Sequence, residues 1–225
     1  MRIGITMRVV ETEAYREPRD AISHDCIRWL EGLGHTPLPI PNSLAAPAAF
    51  VREFGLEGVV LSSGNDVAPR PGADETAQER DRTETALLEA AAGQRLPVFG
   101  ICRGMHVINR HFGGEIVADI KTECPGAAGH VASEHGVDLD DAFGRIAGAQ
   151  RIVTNSFHNQ AVRAAGLGAG IKAFARCTSD GLVEGIVHAE LPFLAVQWHP
   201  ERPNPASPFD QAIVQRLFGE LSFWR

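Results

Sequence analysis

The chain has 225 residues, 44% of them hydrophobic and 22% charged, with a formal net charge of −7. This suits a single soluble globular domain over residues 1–225 with a sizeable core. The acidic balance argues against a nucleic-acid polymer or an anionic membrane surface as partner, and leaves a local pocket for a small anion open.

Ile3–Met7 reads as a short apolar strand. Asp20 is a candidate N-cap for a helix to Leu33, because Ile22, Cys26, Trp29, Leu30 and Leu33 fall on one stripe and Gly34 stops it. His35–Ile40 and Gly58–Leu61 follow as strands, and Glu75–Ala92 as a helix rich in Ala, Glu and Arg. Leu96–Ile101 is a fourth strand, passing into a helical segment at Met105–Phe112. Short apolar strands alternating with helices predict a parallel, doubly wound sheet with helices on both faces. After Gly114 the pattern becomes a series of β-like runs near 130–139, 151–156, 171–176, 182–188 and 193–198. Gly166–Gly170 reads as a loose loop and Pro208–Leu221 as the last helix. The expected class is α/β, a doubly wound, mostly parallel sheet with flanking helices and a β-rich second half.

Met1-Arg-Ile-Gly-Ile-Thr-Met-Arg is too short and too quickly polar for a signal peptide, and no apolar run reaches the length of a membrane span. Cys26, Cys102, Cys124 and Cys177 are widely separated, so reduced thiols and a cytoplasmic location are expected. His106 and His111 stand five apart, as do His130 and His135, which places neither pair on one helical face. There is no His-Glu-x-x-His run either. No metal centre and no other cofactor is expected.

The run Val98-Phe-Gly-Ile-Cys-Arg-Gly104 is the most informative in the chain. An apolar strand ending in Gly-x-Cys-x-Gly before a helix lifts the cysteine out of the sheet on a tight turn. The first turn of the helix then sets unpaired N–H groups beside the sulfur and favours thiolate. The plainer reading of Cys102 is a buried cysteine in a turn. Phe193–Trp198 is a second apolar strand, and it runs into His199-Pro200-Glu201. A thiol nucleophile needs a base, and the base needs a group to orient its far nitrogen. His199 and Glu201 supply both within three residues, and Pro200 fixes φ between them. Ligands in open α/β sheets bind outside the carboxyl ends of the strands, so Cys102, the Ser63-Gly64 turn and His199 are expected on one edge.

Gly100-Ile-Cys-Arg-Gly104 with Gln197-Trp-His-Pro-Glu201 resembles the class I glutamine amidotransferases, and within them the stand-alone γ-glutamyl hydrolases of peptidase C26 type. The likeness spans essentially the whole chain. Leu61-Ser-Ser-Gly-Asn-Asp-Val-Ala-Pro69 resembles the family's oxyanion-strand motif, Asn155-Ser-Phe-His-Asn-Gln160 its substrate-side loop and Asp180-Gly-Leu-Val-Glu-Gly185 its late hairpin. One departure is Ser63-Gly64, where this branch commonly has two glycines. The resemblance implies a γ-glutamyl amide cleaved through a thioester on Cys102, with His199 as base and Glu201 orienting it. The backbone N–H groups of Gly64 and Arg103 would form the oxyanion hole, the Arg103 side chain serving in an ion pair. Ser63, Asn65, Asn155, Ser156, His158 and Gln160 would contact the substrate.

The early segment Arg8…Tyr15-Arg-Glu-Pro-Arg19 bears on the leaving group. Arg8, Arg16 and Arg19 are suited to phosphate or carboxylate, and the segment resembles a branch acting on γ-glutamyl nucleotide (CDP) amidates. The alternatives are a catabolic hydrolase of the γ-glutamyl-γ-aminobutyrate kind and a glutaminase subunit feeding ammonia to a separate synthetase. The expected partner is a small γ-glutamyl substrate. A homodimer through strand edges or helix faces is compatible with the sequence, which shows no distinctive interface.

Overall fold

Every residue of Gly58–Leu61, Val98–Ile101 and Phe193–Val196 is buried, as strands covered on both faces require. Their side chains alternate between two apolar layers: Val60, Phe99, Leu194 and Val196 join one, and Val59, Leu61, Phe193 and Ala195 the other. The computed structural model describes residues 1–12, 17–67, 77–127 and 129–220.

In chain order the elements are β1 (Arg2–Thr6), β2 (Arg8–Thr12), β3 (Glu17–Ala21), α1 (His24–Gly32), β4 (Thr36–Ile40), α2 (Pro47–Glu53), β5 (Gly58–Leu61), α3 (Gln78–Gln94), β6 (Val98–Ile101) and α4 (Arg103–His111). The second half adds α5 (Ile120–Glu123), β7 (Val131–Leu139), α6 (Asp141–Ala147), β8 (Arg151–Phe157), β9 (Ile171–Cys177), β10 (Val183–His188), β11 (Phe193–Val196) and α7 (Ser207–Gln215). Nine strands form one mixed sheet in the order β4-β1-β5-β6-β11-β10-β9-β7-β8. The five from β4 to β11 are mutually parallel, and β10, β9, β7 and β8 continue antiparallel. This is the expected α/β class, with the parallel part doubly wound and the second half β-rich. Residues of α1 and α7 (Leu30, Ile213, Val214) pack in one apolar layer, and residues of α3 and α4 (Leu88, Met105, Ile108) in the other.

Three local expectations change. Asp20 does not cap α1: Ser23 does, accepting a hydrogen bond from the Asp25 N–H at 3.2 Å. Asp20 lies in β3 and its carboxylate holds Asn42 instead, at 2.9 Å from the backbone nitrogen and 2.6 Å from Nδ2. The segment after β1, where the sequence predicts no strand, forms an antiparallel ribbon, β2 paired with β3. Gly166 closes a short 3₁₀ turn, Ala164–Gly166, at the start of the expected loose loop. Strands β5, β6 and β11 run parallel, so Ser62, Cys102 and Gln197 leave the sheet at the same edge.

Candidate active site

Cys102 follows β6 and caps α4 with φ 52° and ψ −99°, a backbone conformation L residues rarely adopt. The turn can be this tight because its neighbours are glycines. A Cβ on Gly104 would lie 2.3 Å from the Leu61 carbonyl oxygen, and one on Gly100 would lie 2.7 Å from the Ala195 Cβ. The Cys102 N–H donates to the Val196 carbonyl at 2.8 Å, fixing the elbow to β11. Gln197, the first residue after β11, directs Nε2 at the Cys102 sulfur, 3.6 Å away, while its Oε1 lies 2.7 Å from His106 Nε2. Burial holds His106 down at about 4, so its ring is neutral and can donate to the amide oxygen.

His199 is buried, and its Nδ1 lies 2.7 Å from Glu201 Oε1. Burial alone would lower the imidazole pKa. The Cys102 sulfur and then Glu201 outweigh it and raise His199 to about 9. Among the described residues no group makes a well-formed hydrogen bond to His199 Nε2. Asn155 clamps His199 from behind: its Oδ1 accepts from the His199 N–H at 2.9 Å, and its Nδ2 donates to the His199 and Pro203 carbonyls at 2.9 and 3.1 Å. Trp198 Nε1 is anchored on Asp210 Oδ1 at 2.8 Å, so both neighbours of the strand end are fixed.

The loop after β5 is shaped by Arg80 of α3, a fully buried side chain that sequence analysis did not single out. Its guanidinium donates to the carbonyls of Ser62, Ser63 and Gly64 at 2.6, 3.0 and 2.6 Å. Carbonyls drawn to one side leave the peptide N–H groups for the other, and among the described residues neither Gly64 nor Arg103 spends its N–H on a protein acceptor. Gly64 has φ 85°, whereas Ser63 is not among the positive-φ residues. A serine at 63 therefore keeps the loop without backbone strain. Arg103 places its guanidinium against Glu84 and Asp81, in line with the ion-pair expectation. Glu84 also takes Arg80 Nε at 2.9 Å and Thr6 Oγ1 at 2.7 Å. Burial pushes the Glu84 carboxyl up, but Arg103 and Arg80 outweigh that and hold it below its usual range.

These groups meet in a cavity of about 230 Å³ lined by Cys102, His199, Gly64, Arg103, Ser63, Asn65, Arg8, His106, His158, Gln160, Phe157 and Arg202 among others. Phe157 and Arg202 are partly exposed and form its mouth, the guanidinium 4.7 Å above the ring. Arg8 reaches the cavity by lying over Gly64, where a Cβ would be 3.2 Å from Arg8 Nε. Other expected substrate contacts are placed differently. Asn155 and Ser156 stand outside the lining: Asn155 holds His199, and the Ser156 hydroxyl donates to the His130 carbonyl at 2.9 Å. Arg19 is also outside, on the exposed ribbon, paired with Glu17 at 3.1 Å. Asn65 lines the cavity but spends its amide on both backbone groups of Val9, each at 2.9 Å. Gln160 Oε1 accepts from the Val67 N–H at 3.1 Å. Arg16 lies outside the described residues.

A parallel sheet with a cysteine elbow and a histidine–carboxylate pair at its carboxyl edge is the architecture of a hydrolase of glutamine amidotransferase type. A glutamine amidotransferase from Thermotoga maritima shares the fold, with a TM-score of 0.67 at 14% identity over 97% of this chain and 98% of its own. The peptidase C26 family model matches residues 2–201, and the chain belongs to that family of hydrolases. A Lactococcus lactis protein named as glutamine amidotransferase-like is 32% identical over 201 residues, 82% of each chain. The γ-glutamyl-γ-aminobutyrate hydrolase of Escherichia coli O157:H7 is 30% identical over 193 residues, 75% of this chain and 73% of its own. The γ-glutamyl-CDP-amidate hydrolase of Campylobacter jejuni is 26% identical over 205 residues, 91% of this chain and 92% of its own. Among the described residues no helix is long and apolar enough to cross a membrane.

Proposed function

We propose that the protein hydrolyses a γ-glutamyl amide through a thioester on Cys102. The observation that supports this reading is that Cys102, His199, Gly64 and Arg103 line one cavity, with Glu201 hydrogen-bonded to the far side of the His199 ring. His199, raised to about 9 by the Cys102 sulfur and Glu201, takes up or already holds the thiol proton. The thiolate attacks the γ-carbonyl carbon, and negative charge develops on the carbonyl oxygen between the two N–H groups. As the C–N bond breaks, His199 gives its proton to the departing nitrogen. Water, deprotonated by His199, then cleaves the thioester and releases glutamate. Glu201 keeps the proton on Nδ1 and faces Nε2 to the reaction.

The cavity is sized for the glutamyl part, and the leaving group would lie at the mouth between Arg8 and Arg202. Guanidinium groups there favour an anionic leaving group. We favour a γ-glutamyl nucleotide amidate, supported by the Campylobacter jejuni relative's match over 91% of this chain. A γ-glutamyl-γ-aminobutyrate-type substrate is the second reading, supported by the Escherichia coli relative at 30% identity. The test is mass spectrometry of products after incubation with glutamine, γ-glutamyl-γ-aminobutyrate and a γ-glutamyl-CDP amidate. Release of glutamate from the amidate by the wild type but not by Cys102→Ala is the expected result. Inactivity on all three would overturn the proposal, and activity only on glutamine, rising with a partner synthetase, would make the protein a glutaminase subunit.

A further inference from the structure

Away from Cys102 and His199, a group of ionisable side chains surrounds Glu184 on β10. Its carboxylate is fully buried, and among the described residues neither oxygen makes a well-formed hydrogen bond. Three imidazoles approach the same oxygen: Oε1 is 3.4 Å from His135 Nε2, 3.6 Å from His158 Nε2 and 3.8 Å from His130 Nδ1. His130 Nδ1 and His158 Nε2 are themselves 3.2 Å apart. These residues lie 28 and 26 positions apart in sequence and precede β7, follow β8 and sit in β10, so no local spacing announces them.

The outer nitrogens decide what the inner ones can do. His130 Nε2 lies 2.9 Å from Asp180 Oδ2, and His158 Nδ1 lies 2.9 Å from the Gln160 carbonyl oxygen. Both partners are acceptors, so each outer nitrogen carries the hydrogen and, in a neutral ring, the inner nitrogen presents a lone pair. The Ser156 hydroxyl, 3.5 Å from His130 Nδ1, gives its hydrogen to the His130 carbonyl. With both rings neutral, two nitrogen lone pairs and a carboxylate oxygen face one another, and the 3.2 Å contact between His130 and His158 is a hydrogen bond only when one ring takes up a second proton. Repulsion at these distances calls for a positive charge in their midst, a metal cation or an added proton. A proton on one nitrogen reaches the other two atoms only through a weaker three-centre bond, whereas a cation can bind all three. Ligands about 2.0–2.2 Å from a tetrahedral ion stand roughly 3.3–3.6 Å apart, close to the edges seen here. Imidazoles whose far N–H groups are held by a carboxylate and a carbonyl are the usual setting of a metal-bound histidine.

We infer that His130 Nδ1, His158 Nε2 and Glu184 Oε1 bind one divalent transition-metal cation of the zinc type, with water completing the coordination. His135 would support Glu184 from outside. A cavity of about 330 Å³ lined by His130, His158, Gly129 and Asn159 gives the ion access. His158 also lines the catalytic cavity, so the ion would brace the wall formed by residues 157–160 without entering the reaction.

The test uses untagged protein in the Cys102→Ala background, which removes the reactive thiol as a competing ligand. After equilibration with Zn²⁺ and gel filtration, plasma mass spectrometry should find about one bound ion, and replacement by Co²⁺ should give the visible spectrum of a tetrahedral nitrogen–oxygen site. Glu184→Gln should lose the ion, and Asp180→Asn, which disturbs only the outer contact to His130, should weaken binding about 10- to 100-fold. Protein free of Zn²⁺ and Co²⁺ after this treatment would overturn the inference and leave the cluster holding a proton. Unchanged metal affinity in both variants would place the ion elsewhere and overturn it equally.

Discussion

Arg80→Lys tests whether the oxyanion loop is held from below. The arginine serves the Ser62, Ser63 and Gly64 carbonyls, the Ser62 hydroxyl at 3.0 Å and the Glu84 carboxylate, all from one planar group. A lysine keeps the charge opposite Glu84, but its single ammonium cannot reach both that carboxylate and all three carbonyls. At least one buried carbonyl is left unsatisfied, which costs about 1–3 kcal/mol of stability. Removing an oxyanion donor outright costs about 2.7–4 kcal/mol of barrier. A donor displaced rather than removed should cost less, a tenfold to hundredfold loss in kcat, or roughly 1.4–2.7 kcal/mol. KM should change little, because the Gly64 N–H acts mainly when charge develops on the carbonyl oxygen. The assay is stopped-flow release of the chromophore from a γ-glutamyl anilide under single-turnover conditions, alongside thermal unfolding. A folded variant that acylates within about twofold of the wild-type rate would refute the cradle, taking twofold as roughly 0.4 kcal/mol of barrier.

Cys102→Gly and Cys102→Ala should both abolish turnover, but glycine should be the more stable of the two by about 1 kcal/mol, since φ 52° strains alanine and not glycine. Equal unfolding free energies would remove the strain argument. The rate should hold through neutral pH and fall as pH rises through about 9, where His199 loses the proton it gives to the leaving group. Its folded-state pKa is raised, so the matching contribution to stability is complete below the ordinary value of 6.5 and is lost as pH passes about 9. Glu201→Gln should lower the rate and shift the alkaline limb of the pH profile to lower pH; a limb that stays in place would refute the orienting role. Gly104→Ala should cost about 1–3 kcal/mol or displace the elbow, because its Cβ would press on the Leu61 carbonyl at 2.3 Å, and a variant with both wild-type stability and an unmoved Cys102 would contradict this.

The parts of the site that sequence made legible are those whose geometry is local. A buried strand, a glycine-flanked cysteine and a histidine two residues from a glutamate each declare themselves within seven positions, and parallel strands bring their ends to one edge. What escaped depends on partners far along the chain. Arg80 and Glu84 fall in a helix read only as rich in Ala, Glu and Arg, yet both are fully buried, because their side chains meet the loop after β5 and the Arg103 guanidinium. Asn155 and Asn65 belong to motifs expected at the substrate and instead bind backbone. Asp20 had a cap's chemistry, but β3 carried it past the helix to Asn42.

These misplacements share a cause. A turn that holds Cys102 in a strained conformation is not stabilised by its own hydrogen bonds alone. Side chains behind it must take up the carbonyls and fix the strand ends, as Arg80, Asn155 and Gln197 do. Polar residues one layer below the cavity therefore stand in the same motifs as those facing it. Their direction is set by where α3 and β8 carry them relative to the ends of β5 and β11, which composition and spacing do not encode. On this argument, loss of Asn155 or Arg80 should disturb the rate of the chemical step more than substrate affinity, whereas loss of Arg8 at the mouth should do the reverse.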